Sequence, residues 1–188
     1  GEMGREWRKP VRQCCIERGR GRVARASACR ARDGLVGYRM IELTTDRLSL
    51  RPLALADIDW FAAMRGDPDI MRYIGAKGAV PRRVAEERLE RHLACWSERG
   101  LGMFGARLHG EEAPVGWAGL QPLEGTDDIE VGYAFAKPWW GLGFATEAAI
   151  ALVRWGFEEK GLQRIVAVAS PENGPSRHVM DKLGMRYE

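Results

Sequence analysis

Lys137-Pro138-Trp139-Trp140-Gly141-Leu142-Gly143-Phe144-Ala145-Thr146-Glu147 is the stretch that decides how this chain is read. The apolar, alternating run Ile129–Ala136 before it has the pattern of a strand, and the residues from about Ala145 to Lys160 have that of a helix. A strand therefore feeds a glycine-rich turn that opens a helix. Glycine removes the Cβ atoms that would hold a ligand off the backbone and permits positive φ. The unpaired N–H groups of a helix's first turn, at the positive end of its dipole, suit an anion such as a pyrophosphate. The same spacing also fits a tight connection in which glycine serves the bend alone. A Walker-type loop would need Gly-Lys-Ser/Thr, and Phe144-Ala145-Thr146 offers no lysine. A dinucleotide fingerprint would need Gly or Ala where Thr146 stands and an acidic residue after the next strand, where Ser170-Pro171 stands.

Outward from this turn the pattern is mixed. Asp46 to Leu53 alternates as a first strand. Asp57 is placed to cap a helix reaching about Arg65, and Asp67-Pro68 to open a short one ending near Tyr73. Ala85, Leu89, Leu93 and Trp96 share one face of a helix from Pro81 to Arg99. Strands are expected at Leu101–Leu108, Val115–Gln121 and Ile129–Ala136, with hairpin chemistry at His109-Gly110-Glu111-Glu112. After the helix stopped by Gly161 come a strand, Arg164–Ser170, and a helix from Pro175 to Leu183. The expected class is α/β in the α+β sense, with a mixed sheet in place of a strictly alternating one.

Charge is segregated along the chain: residues 1–39 carry a balance of +7 and residues 40–188 one of −4. Neither helical nor strand periodicity is evident over residues 1–39, and Arg18-Gly19-Arg20-Gly21-Arg22 cannot bury enough surface to offset its ordering entropy. Two readings of this stretch stay open. It is a basic arm that touches nucleic acid, or a non-native extension with Met40 as the natural beginning. Cysteine and histidine spacings make no metal cluster and no disulfide framework, so no metal is expected. No window is apolar enough for a membrane span, and a cytoplasmic setting is the expectation.

Trp140-Gly141-Leu142-Gly143-Phe144-Ala145-Thr146-Glu147-Ala148 closely resembles the acetyl-CoA loop of the GNAT superfamily of N-acetyltransferases. Within it, the match is to the RimJ/RimL-like branch, the ribosomal-protein N-terminal acetyltransferases. Asn173-Gly174-Pro175-Ser176 followed by Lys182-Leu183-Gly184-Met185 agrees, as does the opening Thr45-Asp46-Arg47-Leu48-Ser49-Leu50-Arg51-Pro52. The resemblance covers Met40 to Glu188. It implies a GNAT-type fold whose sheet splays after Ile129–Ala136, with acetyl-CoA as cosubstrate. The pantetheine would pair with backbone near Tyr133 and Phe135. Amides of Gly141, Leu142, Gly143, Phe144, Ala145 and Thr146 would hold the pyrophosphate. Asn173 would bond the pantetheine or acetyl region, and Ser176 would sit near the thioester. As plain sequence, Asn173 and Ser176 also read as helix-start chemistry.

The implied mechanism is direct attack of a neutral amine on the thioester. A base or ordered water must take the amine's proton, and Glu130, on the strand beside the cofactor, is the candidate by placement. Glu147 is a second carboxylate, placed to answer the helix dipole. Where many relatives carry a proton-donating tyrosine this chain has Met180, so Ser176, water or simple thiolate release would serve. Relatives continue past the position of Glu188 with a further strand or two. Lacking them, Arg164–Ser170 would expose an edge and the chain would be less stable than a longer relative.

The expected acceptor is a primary amine, either a protein N-terminus or a small molecule, with Trp60, Phe61, Tyr73 and Trp117 as candidate lining. The expected assembly is a monomer or homodimer. A non-catalytic acetyl-CoA-binding domain with an RNA- or ribosome-contacting arm is the alternative, and a nucleotide-binding α/β domain a third.

Overall fold

The computed structural model describes residues 12–19, 41–75 and 78–188. The strands are β1 (Arg12–Glu17), β2 (Leu43–Thr44), β3 (Leu48–Pro52), β4 (Met103–Leu108), β5 (Pro114–Pro122), β6 (Ile129–Phe135), β7 (Arg164–Ala169) and β8 (Arg186–Tyr187). The helices are α1 (Ile58–Gly66), α2 (Arg82–Arg99), α3 (Phe144–Glu158) and α4 (Gly174–Lys182), with short 3-10 turns before α1, between α1 and α2, and before α3. All eight strands join one sheet in the order β2-β3-β4-β5-β6-β7-β1-β8. Neighbours from β2 to β6 are antiparallel, and β6 and β7 are parallel. The mixed sheet inferred from the order of elements is thus the observed one.

Strand alternation divides the core between the two faces of this sheet. Ala118 and Leu120 of β5 with Val131 and Phe135 of β6 pack with Ala148, Leu152 and Trp155 of α3. Trp117 of β5 and Ala134 of β6 point the other way and pack with Phe61 and Met64 of α1 and Ala85 and Leu89 of α2. Asp57 occupies the cap position of α1 without capping it. Its Oδ1 instead accepts from Arg107 Nη2 of β4 at 2.6 Å, a buried ion pair joining the start of α1 to the sheet.

Two expectations are corrected at the far end of the sheet. Residues 1–39 show no strand periodicity, yet Arg12–Glu17 forms β1, antiparallel to β7 with Cys14 opposite Ala167 and Ile16 opposite Ile165. Cys14, Cys15 and Ile16 are buried. A strand paired on both sides and covered on both faces needs no alternation, so its pattern hides from a period-two search. The second correction follows from the first: the edge of β7 is not exposed, because β1 covers it and β8 pairs in turn with β1. Residues 1–11 and 20–39, and with them most of the arm expected there, lie outside the described residues.

Candidate active site

The register of β6 shows how an opening arises in the sheet. Against β5 it pairs along its whole length, from Ile129 opposite Pro122 to Phe135 opposite Gly116. Against β7 the register contains a single bridge, Glu130 opposite Val166. Past that bridge the two strands separate, leaving the β7-side backbone of residues 131–135 facing a gap. The splay expected after Ile129–Ala136 therefore begins inside β6, one residue from its start.

Glu130 and Tyr133 stand on opposite faces of β6. Glu130 shares its face with Gly132 and Ala134, towards α1 and α2, and its Oε1 accepts from Gln121 Nε2 at 2.5 Å. Burial pushes its carboxyl above the usual range, partly offset by that hydrogen bond. Tyr133 faces α3 and α4. Its hydroxyl donates to the Ser176 carbonyl at 3.2 Å and lies 3.0 Å from Ser176 Oγ. Burial, against a weaker opposing effect of Ser176, holds the phenol up to about 12, so it stays protonated at any ordinary pH. Phe135 is different, because its ring is in the core, stacked on Phe144 at 6.2 Å, and its carbonyl accepts from Trp140 Nε1 at 2.6 Å.

The loop after β6 takes the form its glycines permit. Gly141 and Gly143 have φ of 74° and 84°, left-handed values that cost an L side chain about 1–2 kcal/mol. Gly143 is the N-cap of α3 and supplies no side-chain cap. The first helical bond there is Glu147 N–H to the Gly143 carbonyl at 3.0 Å, so the amides of Phe144, Ala145 and Thr146 have no partner within the helix. Gly141, Leu142 and Gly143 are exposed above them. The side chain of Phe144 points inward, so only its backbone faces this cradle. A Cβ added at Gly141 would meet nothing within 4 Å, while one at Gly143 would lie 3.5 Å from Arg47 Nη2.

Arg47 is a positioning residue that sequence reading quoted without recognising. Its Nη1 donates to the Leu142 carbonyl at 2.9 Å, and its guanidinium lies 4.2 Å from the centre of the Phe144 ring. Its Nε donates to Glu147 at 2.7 Å. Glu147 also accepts from the Arg47 N–H at 2.8 Å and from the Thr45 hydroxyl at 2.6 Å. Burial works against that carboxylate, and these donors outweigh it, holding it below the usual range. With its oxygens so engaged, Glu147 locks the turn before β3 to α3 and is not a free base.

Asn173 caps α4, its Oδ1 accepting from the Ser176 N–H at 3.2 Å, which leaves the side-chain amide N–H groups for a ligand. Met180 is fully buried in the core. Of the aromatic candidates for the acceptor side, Phe61 and Trp117 are core residues, Trp60 is half-buried and Tyr73 is exposed.

A splayed β6–β7 pair, a glycine cradle opening α3 and a capped α4 across the gap together define an acyltransferase of the GNAT kind. Residues 47–186 match the family described as "Acetyltransferase (GNAT) domain", and the chain belongs to it. It is 32% identical over 154 residues to YkkB of Bacillus subtilis, covering 78% of this chain and 86% of that one. Against the N-acetyltransferase YnaD of the same organism it is 31% identical over 148 residues, covering 79% and 84%. The crystal structure of an acetyltransferase from Agrobacterium tumefaciens superposes with a TM-score of 0.70 at 29% identity, covering 81% of this chain and 87% of that one.

Proposed function

We propose that this acetyltransferase moves the acetyl group of acetyl-CoA to a primary amine, which attacks the thioester directly. The observation that carries the proposal is the pairing of an open β6 edge with unpartnered amides at the start of α3, on either side of one loop. The amides of Gly141 through Thr146 suit the pyrophosphate, the free edge of β6 near Tyr133 suits the amide groups of pantetheine, and Asn173 keeps N–H donors free for the same arm. Phe135 contributes an N–H at most, since Trp140 occupies its carbonyl.

Acetyl-CoA supplies a thioester activated toward nucleophiles and a thiolate leaving group. The chain's residues manage two protons around that exchange. Glu130, on the α1/α2 face, accepts the proton that the attacking ammonium must lose. An α-amine titrating near 7.7–8.0 asks less of this carboxylate than a lysine near 10.4. On the opposite face, the protonated Tyr133 hydroxyl, with Ser176 beside it, can protonate the departing thiolate. This pair supplies the donor that Met180 does not. Within the family we favour the RimJ/RimL-like branch, on the block Thr45–Pro52 and the Trp140 loop, with a protein N-terminus or a small amine as acceptor. Cys14, Cys15 and Cys95 are free thiols, which suits a reducing cytoplasmic setting.

Calorimetric titration of acetyl-CoA into the wild-type chain and a Gly143→Glu variant tests the donor site. Glutamate puts a side chain and a negative charge on a left-handed N-cap, and binding should be lost. Equal binding by both proteins would remove the cradle from the proposal.

A further inference from the structure

Behind the α1/α2 face lies a group of cations that the proton transfers do not use. Arg65, at the last turn of α1, is only 5% exposed, yet among the described residues no carboxylate bonds it. Its Nη1 points at Met71 Sδ at 3.8 Å, its guanidinium lies 5.4 Å from the centres of both the Phe61 and Trp117 rings, and its Nε has no hydrogen-bond partner. Arg88, on the facing helix α2, has a buried Nε that likewise has no partner among the described residues, and its Nη2 would lie 3.8 Å from a Cβ placed on Gly75. Arg91 belongs to the same neighbourhood. Burial and the mutual repulsion of Arg65 with Arg88 and Arg91 lower the Arg65 pKa to about 9. Burial and the same three arginines press His92 down to about 4, so it is neutral and adds no charge. The acid felt here is Glu124, acting on Arg88.

A buried guanidinium is costly unless an anion accompanies it, and buried donors in native proteins are almost always paired. Two arginines on facing helices, each with an orphaned Nε, therefore describe a cation site missing its anion. Its position links it to the reaction. Trp117, beneath Arg65, pairs in register with Ala134, and Gln121 pairs with Glu130, all on the same face. Trp117 and Gln121 are four residues apart, about 13 Å along the strand. The base and the arginines thus lie on the same side of the sheet, the one that α1 and α2 cover.

We propose that Arg65 and Arg88 form the anion-binding half of the acceptor site, and that the acceptor is an amine bearing a carboxylate or phosphate several bonds from its nitrogen. The inference rests on the acetyl-transfer reading for taking the α1/α2 side as the acceptor side, and on the orphaned guanidiniums for its charge preference. Arginine binds such oxyanions bidentately, with charge-assisted hydrogen bonds. Neutral and cationic amines leave the same donors unpaired and are discriminated against.

The test is an acetyl-transfer assay that follows free CoA thiol over matched acceptors. These are α- and ω-amino acids, their carboxamides, aminoalkyl phosphates and the corresponding amino alcohols. The expected result is a kcat/KM about 10- to 100-fold higher for an anionic member than for its neutral partner. Arg65→Gln and Arg88→Gln should each narrow that ratio, chiefly through KM, and Arg88→Lys should restore part of it. The carboxylate and phosphate arms separate the two sources of charge. Equal kcat/KM within every matched pair overturns the inference while leaving acetyl transfer intact. Should acetyl-CoA bind and no amine react, the enzymatic reading fails, and thermal melting of the CoA-loaded chain decides the anion site alone. A rise in Tm with inorganic phosphate or glutarate, beyond that with sodium chloride at equal ionic strength and reduced in Arg88→Gln, supports it. No anion-specific rise overturns it.

Discussion

The Tyr133 hydroxyl lies 3.0 Å from the Ser176 hydroxyl, tying the middle of β6 to the first turn of α4 across the gap where β6 and β7 part. The relationship converts a strand residue, expected to offer only backbone, into a candidate proton donor. It also gives Ser176 a partner of its own. Tyr133→Phe should lower kcat about 100-fold, within the range for loss of a general acid, while leaving acetyl-CoA affinity within a few-fold. Because the phenol titrates only near 12, the wild-type rate should show no alkaline fall from this group between pH 7 and 10. Ser176→Ala should have a milder effect on kcat, since the phenol remains. Steady-state kinetics with calorimetric Kd values would check the pair, and an unchanged kcat in Tyr133→Phe would retire the donor role.

Glu130 must be ionised to take a proton, and burial raises its pKa. The acid limb of kcat/KM should therefore lie above the ordinary glutamate value of about 4.3. Glu130→Gln should lose that limb along with about 100-fold or more of the rate. Stability should respond with the opposite sign. The folded state holds this proton more tightly than the unfolded state, so the wild type loses stability as pH rises from the unfolded to the folded pKa. Above that window Glu130→Gln, which carries no charge to bury, should melt at or above the wild-type temperature. A variant that lost both rate and Tm at pH 8 would indicate a structural role instead.

Arg47→Ala removes the bond to the Leu142 carbonyl and the cation beside Glu147 together. The expected cost is about 1–3 kcal/mol of stability, modest because Arg47 is half-exposed. Affinity for acetyl-CoA should fall about 10-fold as the loop loosens. Glu147 titrates below its ordinary value when folded, so its contribution is present above the unfolded pKa and disappears as pH falls through the folded one. Urea denaturation at pH 7 and pH 3 should show the gap between Arg47→Ala and wild type closing on the acid side.

What could be read in the sequence was what is local. Gly141 and Gly143 announce a loop because their spacing sits between a period-two run and a period-3.6 run, and the structure uses both at positive φ. Asn173 before Pro175 and Ser176 announces a cap, and it caps. Arg47 stood in plain view but acts on a residue 100 positions away, a distance no spacing rule reaches. Arg65 looks like an ordinary cation at a helix C-terminus, stabilised by the dipole. Only the packing of α1 on α2 and Trp117 shows that it is buried. Asp57 had the right residue type and place for a cap, but Arg107 engages one of its oxygens at 2.6 Å and the preceding Ala54 N–H the other at 2.9 Å, so neither caps α1.

β1 provides the sharpest test of the fold. Arg12-Gln13-Cys14-Cys15-Ile16-Glu17 lies in a stretch rich in arginine and glycine, and its apolar centre is two cysteines and an isoleucine. In the sheet this segment separates β7 from β8, and Ile16, 3% exposed, packs into the cluster shared by Ile165, Ala167 and Leu183. Ile16→Ala should cost about 2–5 kcal/mol, the range for emptying a buried aliphatic site. Leu142→Ala, at a side chain 51% exposed, should stay within about 0.5 kcal/mol and serves as the control. Deleting residues 1–18 should be more severe than either, because it uncovers the hydrogen-bonding edge of β7 and strips β8 of its neighbour. Were residues 12–17 an appendage, Ile16→Ala and the deletion would both melt with the wild type in chemical denaturation. A deletion variant that remained as stable as the parent would place the end of the sheet at β7.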